Sequence, residues 1–158
     1  MTEDRIARVR RALDELGYGG TILVTPAGTH TAEMAAAAAG CELGQIVKTL
    51  VVYVSGEPML ALVAGGRRLD DRLLAARFGV GRKQVKLASA AQVLGLTGYP
   101  VGGVSPFGLP APLPALADEG LRRFETVWVA AGSADAIFPV SLDDLGRWTG
   151  AEFAPIAT

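Results

Sequence analysis

The sequence predicts an α/β fold of the α+β type, with a mixed sheet flanked by helices in a single domain spanning residues 1–158. Helical and strand segments alternate without the regular spacing of repeated βαβ units, which argues against a doubly wound parallel sheet. Two β-rich runs are separated by only three turn-forming residues, which indicates an antiparallel hairpin. Half of the residues are apolar and a fifth are charged, as expected of a globular chain with a substantial core.

The first half of the chain contains two predicted helices and three predicted strands. Residues 2–17 place apolar side chains three and four positions apart and end at a glycine, which is typical of an amphipathic helix. Residues 21–25 have strand composition, and residues 31–40 combine a threonine N-cap, strong helix formers and a terminal glycine. The two hairpin strands are expected at 46–54 and 58–64, joined by Ser-Gly-Glu.

The second half predicts a further series of short elements. From residue 67 the pattern indicates a helix whose apolar side carries Leu69, Leu73, Ala76 and Phe78. The elements expected after it are a short strand from Val85, a capped helix from Ser89, a glycine- and proline-rich loop over 98–114, strands at 126–132 and 136–140, and a closing helix over 141–150.

Charge and cysteine content narrow the class of protein. A formal charge of −1 argues against a surface that attracts polyanions everywhere, although a local basic patch stays open. Cys41 is the sole cysteine, so the chain has no internal disulfide and suits a reducing compartment. No apolar run approaches the roughly 18 residues of a membrane span, and the first residues are charged where a signal peptide would be apolar. We therefore expect a cytoplasmic protein without a membrane partner.

Several common site chemistries have no support in the sequence. His30 and Cys41 alone cannot supply the four ligands of a structural zinc site, so a loop or capping role for His30 is favoured over a role as a lone acid or base. Ser105 lies outside a G-x-S-x-G motif, and Pro106 after it has no N–H for an oxyanion hole, which argues against a serine hydrolase. The glycine-rich motifs of nucleotide binding are missing. We expect neither a metal nor a cofactor.

Lys48 interrupts an otherwise nearly continuous apolar strand, IVKTLVVYV. A lysine at such a position either extends its amine to the strand's edge or points into a pocket where it meets an anion. The competing interpretation is an ordinary outward position on a half-exposed strand. The spacing alone favours this second interpretation slightly.

The stretch GGVSPFG, residues 102–108, combines two glycines with a proline and an exposed-looking Phe107. Paired glycines let main-chain N–H groups converge on an anion or a developing oxyanion, because no side chain stands in the way. A plain surface turn explains the same composition equally well.

Positive charge is concentrated in one third of the chain. A solvated helix face is the default interpretation, and a nucleic-acid contact is the second. The basic residues are Arg67, Arg68, Arg72, Arg77, Arg82, Lys83 and Lys86, with Asp70 and Asp71 among them.

Three stretches, taken in order, resemble the YbaK and ProX family of aminoacyl-tRNA deacylases, which includes prolyl-tRNA synthetase-associated domains. They are TAEMAAAAAGCELGQIVKTLVVYV at 31–54, GYPVGGVSPFG at 98–108, and VWVAAG at 127–132 followed by a strand and SLDDL. The resemblance implies a mixed, mostly antiparallel and partly barrel-like sheet. It also implies a trans-acting editing enzyme that hydrolyses the ester of an amino acid mischarged on tRNA. The implied partners are the 3′ acceptor end of an aminoacyl-tRNA and an aminoacyl-tRNA synthetase, with no role for DNA.

The resemblance assigns the site residue by residue. Lys48 matches the family's motif lysine and is followed by Thr49, while Gly102, Gly103 and Pro106 match its glycine and proline loop. Catalysis then relies on positioned water or a substrate group, without a protein nucleophile. On this interpretation Lys48 holds the terminal phosphate or ribose, and Gly102 and Gly103 present N–H groups to the carbonyl oxygen. The substrate-binding set adds Phe107 as a pocket wall, Ser105, for which a turn role is favoured, and His30.

One departure from the family pattern concerns specificity. Members similar to the bacterial cysteinyl-tRNA deacylase carry a serine in the strand before the glycine and an aspartate a few residues later. Here Gly132 follows two alanines, and Asp135 stands near the place of the aspartate, so both enter the predicted substrate-binding set. Alanyl or another small aminoacyl group is therefore as open as cysteinyl. Two rival functions remain: a non-catalytic module that binds tRNA or a synthetase, and a relative that acts on a different small ester or amide.

Overall fold

A mixed eight-stranded sheet dominates the computed structural model, which describes residues 2–25 and 31–158. The helices in these ranges are α1 (Thr2–Glu15), α2 (Ala32–Ala39), α3 (Asp71–Phe78), α4 (Ala90–Thr97) and α5 (Leu142–Thr149). The strands are β1 (Leu23–Val24), β2 (Ile46–Val54), β3 (Glu57–Ala64), β4 (Val85–Leu87), β5 (Ala115–Asp118), β6 (Thr126–Ser133), β7 (Ala136–Ser141) and β8 (Glu152–Ala154).

The strand order is β1-β7-β6-β2-β3-β5-β8, and β4 also pairs with β2. The pairs β1–β7, β6–β7, β2–β3 and β2–β4 are antiparallel, whereas β2–β6, β3–β5 and β5–β8 are parallel. The predicted mixed sheet with an antiparallel majority, flanked by helices, is confirmed. The order ends at β1 and β8, so the sheet is open and does not close into a barrel.

Local sequence signals place most helix ends correctly. The hydroxyl groups of Thr31, Ser89 and Ser141 accept hydrogen bonds from the first-turn N–H groups of α2, α4 and α5, because these N–H groups have no partner within the helix. Gly40 and Gly150 end α2 and α5 with φ values of 71° and 70°, a conformation that glycine adopts without strain. The hairpin of β2 and β3 is also confirmed, with a two-residue turn.

Two expectations about the elements are wrong, and two short strands have no counterpart among the expected elements. Helix α3 begins at Asp71, after its cap Asp70, and buries Leu74 and Ala75, whereas Phe78 on the predicted apolar side is 45% exposed. Leu74 packs into a second core cluster, so tertiary packing selects a face that the local pattern does not indicate. The strand predicted at 21–25 is only the two residues of β1. Strands β5 and β8 were not predicted, since each is three or four residues long and pairs only with distant parts of the chain.

The main core lies between the sheet, α1 and the loop that follows α4. Val9 and Leu13 of α1 are fully buried against it, as the helical spacing predicts. Phe138 is also fully buried, and its ring packs 5.5 Å from that of Tyr18 and 5.9 Å from that of Phe107, measured between centroids. Within the described ranges, no helix is long and apolar enough to cross a membrane.

Phe138→Ala is expected to lower the free energy of unfolding by about 3–5 kcal/mol, because it leaves a cavity among tightly packed rings. Urea denaturation measures the change. Leu94→Ala, at a position that is 52% exposed on α4, is the control and is expected to stay within about 0.5 kcal/mol of the parent. A Phe138→Ala protein as stable as the control would contradict this packing.

Candidate active site in a gap of the sheet

The candidate site lies where β2 changes its neighbour. One edge of β2 pairs with β3 along its whole length. On the other edge, β6 pairs with Ile46 and Val47, and β4 pairs with the end of the strand, from Val52 to Val54. Residues 48–50 therefore pair with neither strand on this edge, and a gap opens between β6 and β4.

A cavity of about 350 Å³ occupies this gap. Lys48, Thr49 and Gly102, three of the predicted site residues, line it together. Apart from them and Thr31, its described lining is apolar, and it contains no Ser, Cys, His, Asp or Glu. The structure thus brings the motif lysine and the glycine loop to one enclosed space, although they are more than fifty positions apart in sequence.

Thr49 presents both its side chain and its main chain to this gap. The main-chain carbonyl of Val51 accepts a hydrogen bond from Ala88 N at 3.0 Å on the same edge. Because main-chain groups alternate between the two edges of a strand, the N–H and C=O of Thr49 also point into the gap. Thr49 Oγ1 is buried and has no hydrogen-bond partner within the described residues. Buried hydroxyls in native proteins normally have a hydrogen-bond partner, so this side chain is a candidate contact for a polar ligand group.

The amine of Lys48 donates a hydrogen bond to the main-chain carbonyl of Arg67, in the loop after β3. Lys48 is half-buried and is one of the residues that line the cavity. One lysine amine carries three donors, and two of them have no acceptor within residues 2–25 and 31–158.

The Arg67 loop is itself held by a buried carboxylate. Asp118 is fully buried, and its Oδ2 lies 2.9 Å from Arg67 Nε and 3.0 Å from the N–H donor of Gly120. Its Oδ1 accepts hydrogen bonds from Ile156 N and Ala157 N. The three main-chain hydrogen bonds hold the Asp118 carboxylate in place, and its ion pair with Arg67 ties it to the loop whose carbonyl receives the Lys48 amine.

Burial lowers the pKa of the Lys48 amine. The neighbouring Arg68 guanidinium lowers the pKa further, while the Glu33 carboxylate partly opposes the shift. The ammonium form is thus less favoured here than in water, because it has lost solvent and faces a like charge. An anionic or strongly accepting ligand would relieve both penalties.

Gly102 and Gly103 occupy a tight turn beside the cavity. Gly103 N donates to Pro100 O at 2.9 Å, and Gly102 at the third turn position has a φ of 89°, which favours glycine. The expectation that Gly103 offers its N–H to substrate conflicts with this hydrogen bond. Gly103 instead permits close packing, since a Cβ there would stand 2.7 Å from the Cα of Ser133. The N–H of Gly102 takes no part in closing the turn.

Ser105, Pro106 and Phe107 are buried behind the loop and are not among the lining residues. The hydroxyl of Ser105 accepts a hydrogen bond from Phe107 N at 3.3 Å, which agrees with the favoured turn role. Phe107 looked exposed in the sequence but is only 5% exposed, and its ring packs against those of Phe138 and Trp148. It supports the loop from the core.

The remaining predicted site residues lie around the cavity. Gly132 is buried, and its carbonyl accepts a hydrogen bond from Arg5 Nε at 3.0 Å. The carbonyl of Asp135 accepts from Thr25, and its carboxylate Oδ1 is buried without a partner in the described part of the chain. Neither residue is among those that line the cavity. His30 lies outside the described residues.

Sequence reasoning missed the apolar wall of the cavity. The wall is formed by residues of strands and helices that are distant in sequence and meet only in the fold. The one sequence signal for it was the apolar strand VWVAAG. The wall includes Ala35, Ile46, Val51, Val93, Val104, Trp128, Ala130, Ala134 and Ile137.

Much of the basic stretch is neutralised locally. Ion pairs join Arg77 to Glu152 at 2.6 Å and Arg82 to Asp71 at 2.9 Å, in addition to the pair that Arg67 forms with a buried carboxylate. No carboxylate of the described residues lies within ion-pair distance of the other four basic side chains, which are Arg68, Arg72, Lys83 and Lys86. The same ranges contain no group of three or more His, Cys, Asp or Glu residues that could hold a metal ion.

Comparison with known families identifies this arrangement. The model of the aminoacyl-tRNA editing domain matches residues 26–148, which include the lysine strand, the glycine loop and β6. The chain belongs to this family. The editing-domain match begins after α1, so that helix lies outside it.

Individual relatives of this editing domain occur both alone and inside larger proteins. A proline–tRNA ligase of Maridesulfovibrio salexigens is 41% identical over 111 residues, which are 70% of this chain but 18% of the ligase. A protein of Enterococcus faecalis, named "Putative Cys-tRNA(Pro)/Cys-tRNA(Cys) deacylase EbsC", is 30% identical over 81% of this chain and 77% of its own length. A crystal structure of "a putative trans-editing enzyme for prolyl tRNA synthetase" is 38% identical, with a TM-score of 0.91 over 98% of this chain and 97% of that one.

The pKa of Lys48 is expected to lie below the ordinary lysine value, and Arg68→Met is expected to raise it. At pH values between the lowered pKa of Lys48 and the ordinary lysine pKa, this amine binds more protons in the unfolded chain than in the folded one. The free energy of unfolding should therefore rise with pH through that range. An NMR titration of ¹³C-labelled lysine measures the pKa, and Lys48→Met assigns the resonance. A midpoint at or above the ordinary value would contradict the effect of burial, and a midpoint indifferent to Arg68→Met would contradict the effect of the arginine charge.

Proposed function

We propose that this editing domain is a trans-acting aminoacyl-tRNA deacylase, which hydrolyses the ester between a small amino acid and the 3′ end of a tRNA. The observation that carries the proposal is the cavity in the gap of β2. It combines Lys48, Thr49 and the Gly102 turn in a mostly apolar cavity whose described lining contains no Ser, Cys, His, Asp or Glu.

This composition suits an ester that is already activated. Water adds to the ester carbonyl carbon, the resulting oxyanion collapses, and the ribose oxygen leaves with a proton, which yields a free amino acid and an intact tRNA. The site's contribution is then to position the ester and to stabilise the oxyanion, and neither task needs a covalent intermediate. A substrate hydroxyl or the amino group supplies the proton transfers.

The residues divide these tasks between them. The N–H of Gly102, which is free of the turn hydrogen bond, is the candidate oxyanion donor. Lys48 binds the ribose or the terminal phosphate, because its amine has one hydrogen-bond acceptor among the described residues, the Arg67 carbonyl, and carries two further donors. Thr49 supplies an unpartnered hydroxyl for a polar group of the ester. The apolar wall favours a small, uncharged amino-acid side chain.

The proposed partner is the acceptor end of an aminoacyl-tRNA. Arg68 stands next to Lys48, and it is one of the basic residues without a carboxylate partner among the described residues, so it is free to meet a phosphate. The likeness to segments of proline–tRNA ligases supports a synthetase as a second partner.

Release of amino acid from mischarged tRNAs tests the proposal. We expect the protein to hydrolyse at least one of alanyl-, seryl- and cysteinyl-tRNA at a rate well above spontaneous deacylation, because the lining provides for a small side chain. Acid-precipitable counts of labelled amino acid, followed over time, measure the rate.

The same measurement separates the rival functions. Binding of tRNA without turnover on any member of the panel would favour a non-catalytic module. Equal turnover of simple aminoacyl esters that lack the tRNA body would favour a hydrolase of other small esters.

Lys48→Ala is expected to reduce the rate constant on the best substrate by about 100-fold, a loss typical of removing one stabilising donor from an enzyme site. Lys83→Ala is the matched control, because Lys83 is an exposed lysine that does not line the cavity. Single-turnover rates and urea denaturation of both variants distinguish lost chemistry from lost stability. Normal deacylation by Lys48→Ala would refute the assignment of this residue.

A further inference from the structure

Helix α1 holds the site loop through one arginine. The guanidinium of Arg8 donates to the main-chain carbonyl of Gly98 at 2.8 Å and lies over the ring of Tyr99, 4.6 Å from its centroid. Tyr99 is fully buried, and its hydroxyl donates to the carbonyl of Phe107 at 2.6 Å. Arg8 and Tyr99 thus connect the beginning of the loop 98–108 to its end.

Both ends of this loop pack closely around Arg8 and Tyr99. A Cβ on Gly98 would stand 2.5 Å from an Arg8 guanidinium nitrogen, and a Cβ on Gly108 would stand 2.6 Å from the Tyr99 hydroxyl oxygen and 3.2 Å from Arg8 Cγ. Both glycines also have positive φ values, 77° and 73°. The main chain comes this close to the arginine only because no side chains intervene.

Among the described residues, no carboxylate explains the position of Arg8. The side chain forms no ion pair within those ranges, and its Nε is buried without a hydrogen-bond partner there. Leaving such a donor unsatisfied costs free energy, and in native proteins it calls for an explanation. The Gly98 carbonyl and the Tyr99 ring are the contacts that fix this side chain, and both belong to the loop.

Arg5, a second arginine of α1, contacts the segment on the other side of the turn that carries Gly102. Arg5 Nε donates to the carbonyl of Gly132 at 3.0 Å. Gly132 precedes Ser133, whose main chain is the surface on which Gly103 packs. The turn that carries Gly102 therefore lies between two segments that α1 holds.

We propose that Arg8, assisted by Arg5, is a positioning residue for the Gly102 N–H in the cavity. This inference rests on the proposed deacylase function. It concerns a helix that precedes the segment matched by the editing-domain family. Arg8 itself is not among the residues that line the cavity, so its effect on the ester passes through the loop.

Arg8→Met tests the proposal, because methionine keeps an apolar stem beside Gly108 and removes the guanidinium. In steady-state assays we expect kcat to fall by about 10- to 100-fold and KM to change less than about threefold. A small displacement of the donor weakens its interaction with the transition state more than its interaction with the bound substrate. Hydrogen exchange at the amides of residues 101–104 is expected to accelerate. Arg8→Lys, which retains a donor for Gly98, is expected to restore part of kcat.

Arg10→Met is the matched control. Arg10 lies on the same helix, donates to the carbonyls of Gly20 and Tyr18, and stacks on the Tyr18 ring, but it makes none of its contacts with the site loop. We expect neither kcat nor loop exchange to change beyond what any loss of stability, measured by urea denaturation, accounts for.

Three outcomes would overturn the proposal: unchanged exchange in Arg8→Met, faster exchange with normal kcat, or equal losses in Arg8→Met and Arg10→Met. If Arg8→Met does not fold, Arg8→Lys and Arg8→Gln carry the same comparison. If the parent protein hydrolyses no aminoacyl-tRNA, the proposed function fails, and the exchange data still decide whether Arg8 fixes the loop.

Discussion

The rest of the site depends on the way β2 uses its second edge. A strand inside a sheet normally satisfies its main-chain groups on both sides, and β2 does so with β3 throughout. On its other edge, β6 runs parallel at one end and β4 antiparallel at the other, so three residues between them pair with neither strand. The gap opens the middle of the sheet to a cavity without exposing an outer edge. Lys48 and Thr49 line this cavity, and the proposed function assigns both residues their roles there.

A gap of this kind is useful only if its far side is rigid. The opposing turn contains glycines at positions where a Cβ would collide with neighbouring main chain or with the α1 arginines. Such close packing replaces side-chain contacts with direct main-chain contacts, which leave little freedom to move. The conformational entropy that these glycines lose is offset by buried aromatic rings behind the loop, among them Phe107 and Phe138.

Asp118 and Lys48, which contact the same Arg67 segment, differ in how well their charges are compensated. Asp118 is fully buried, yet it accepts hydrogen bonds from three main-chain N–H groups and pairs with one guanidinium. Lys48 is the opposite case: its amine is partly desolvated, faces Arg68, and rests on a neutral carbonyl. A group left under-compensated in this way typically marks a functional site, where binding supplies the missing interaction.

Local signals in the sequence determined the helices, their caps, the β2–β3 hairpin and the lysine and glycine motifs, because each depends on residues within a few positions of one another. They could not determine the open sheet order, the short strands β5 and β8, or the buried face of α3, since pairings between distant segments decide these. The same holds within the site. Sequence alone singled out Lys48 and Gly102, whereas only the tertiary structure packs Gly103 against Ser133, buries Phe107 in the core, and brings α1 against the loop. Residue type determines which groups can react, and packing across the chain decides which of them face the cavity.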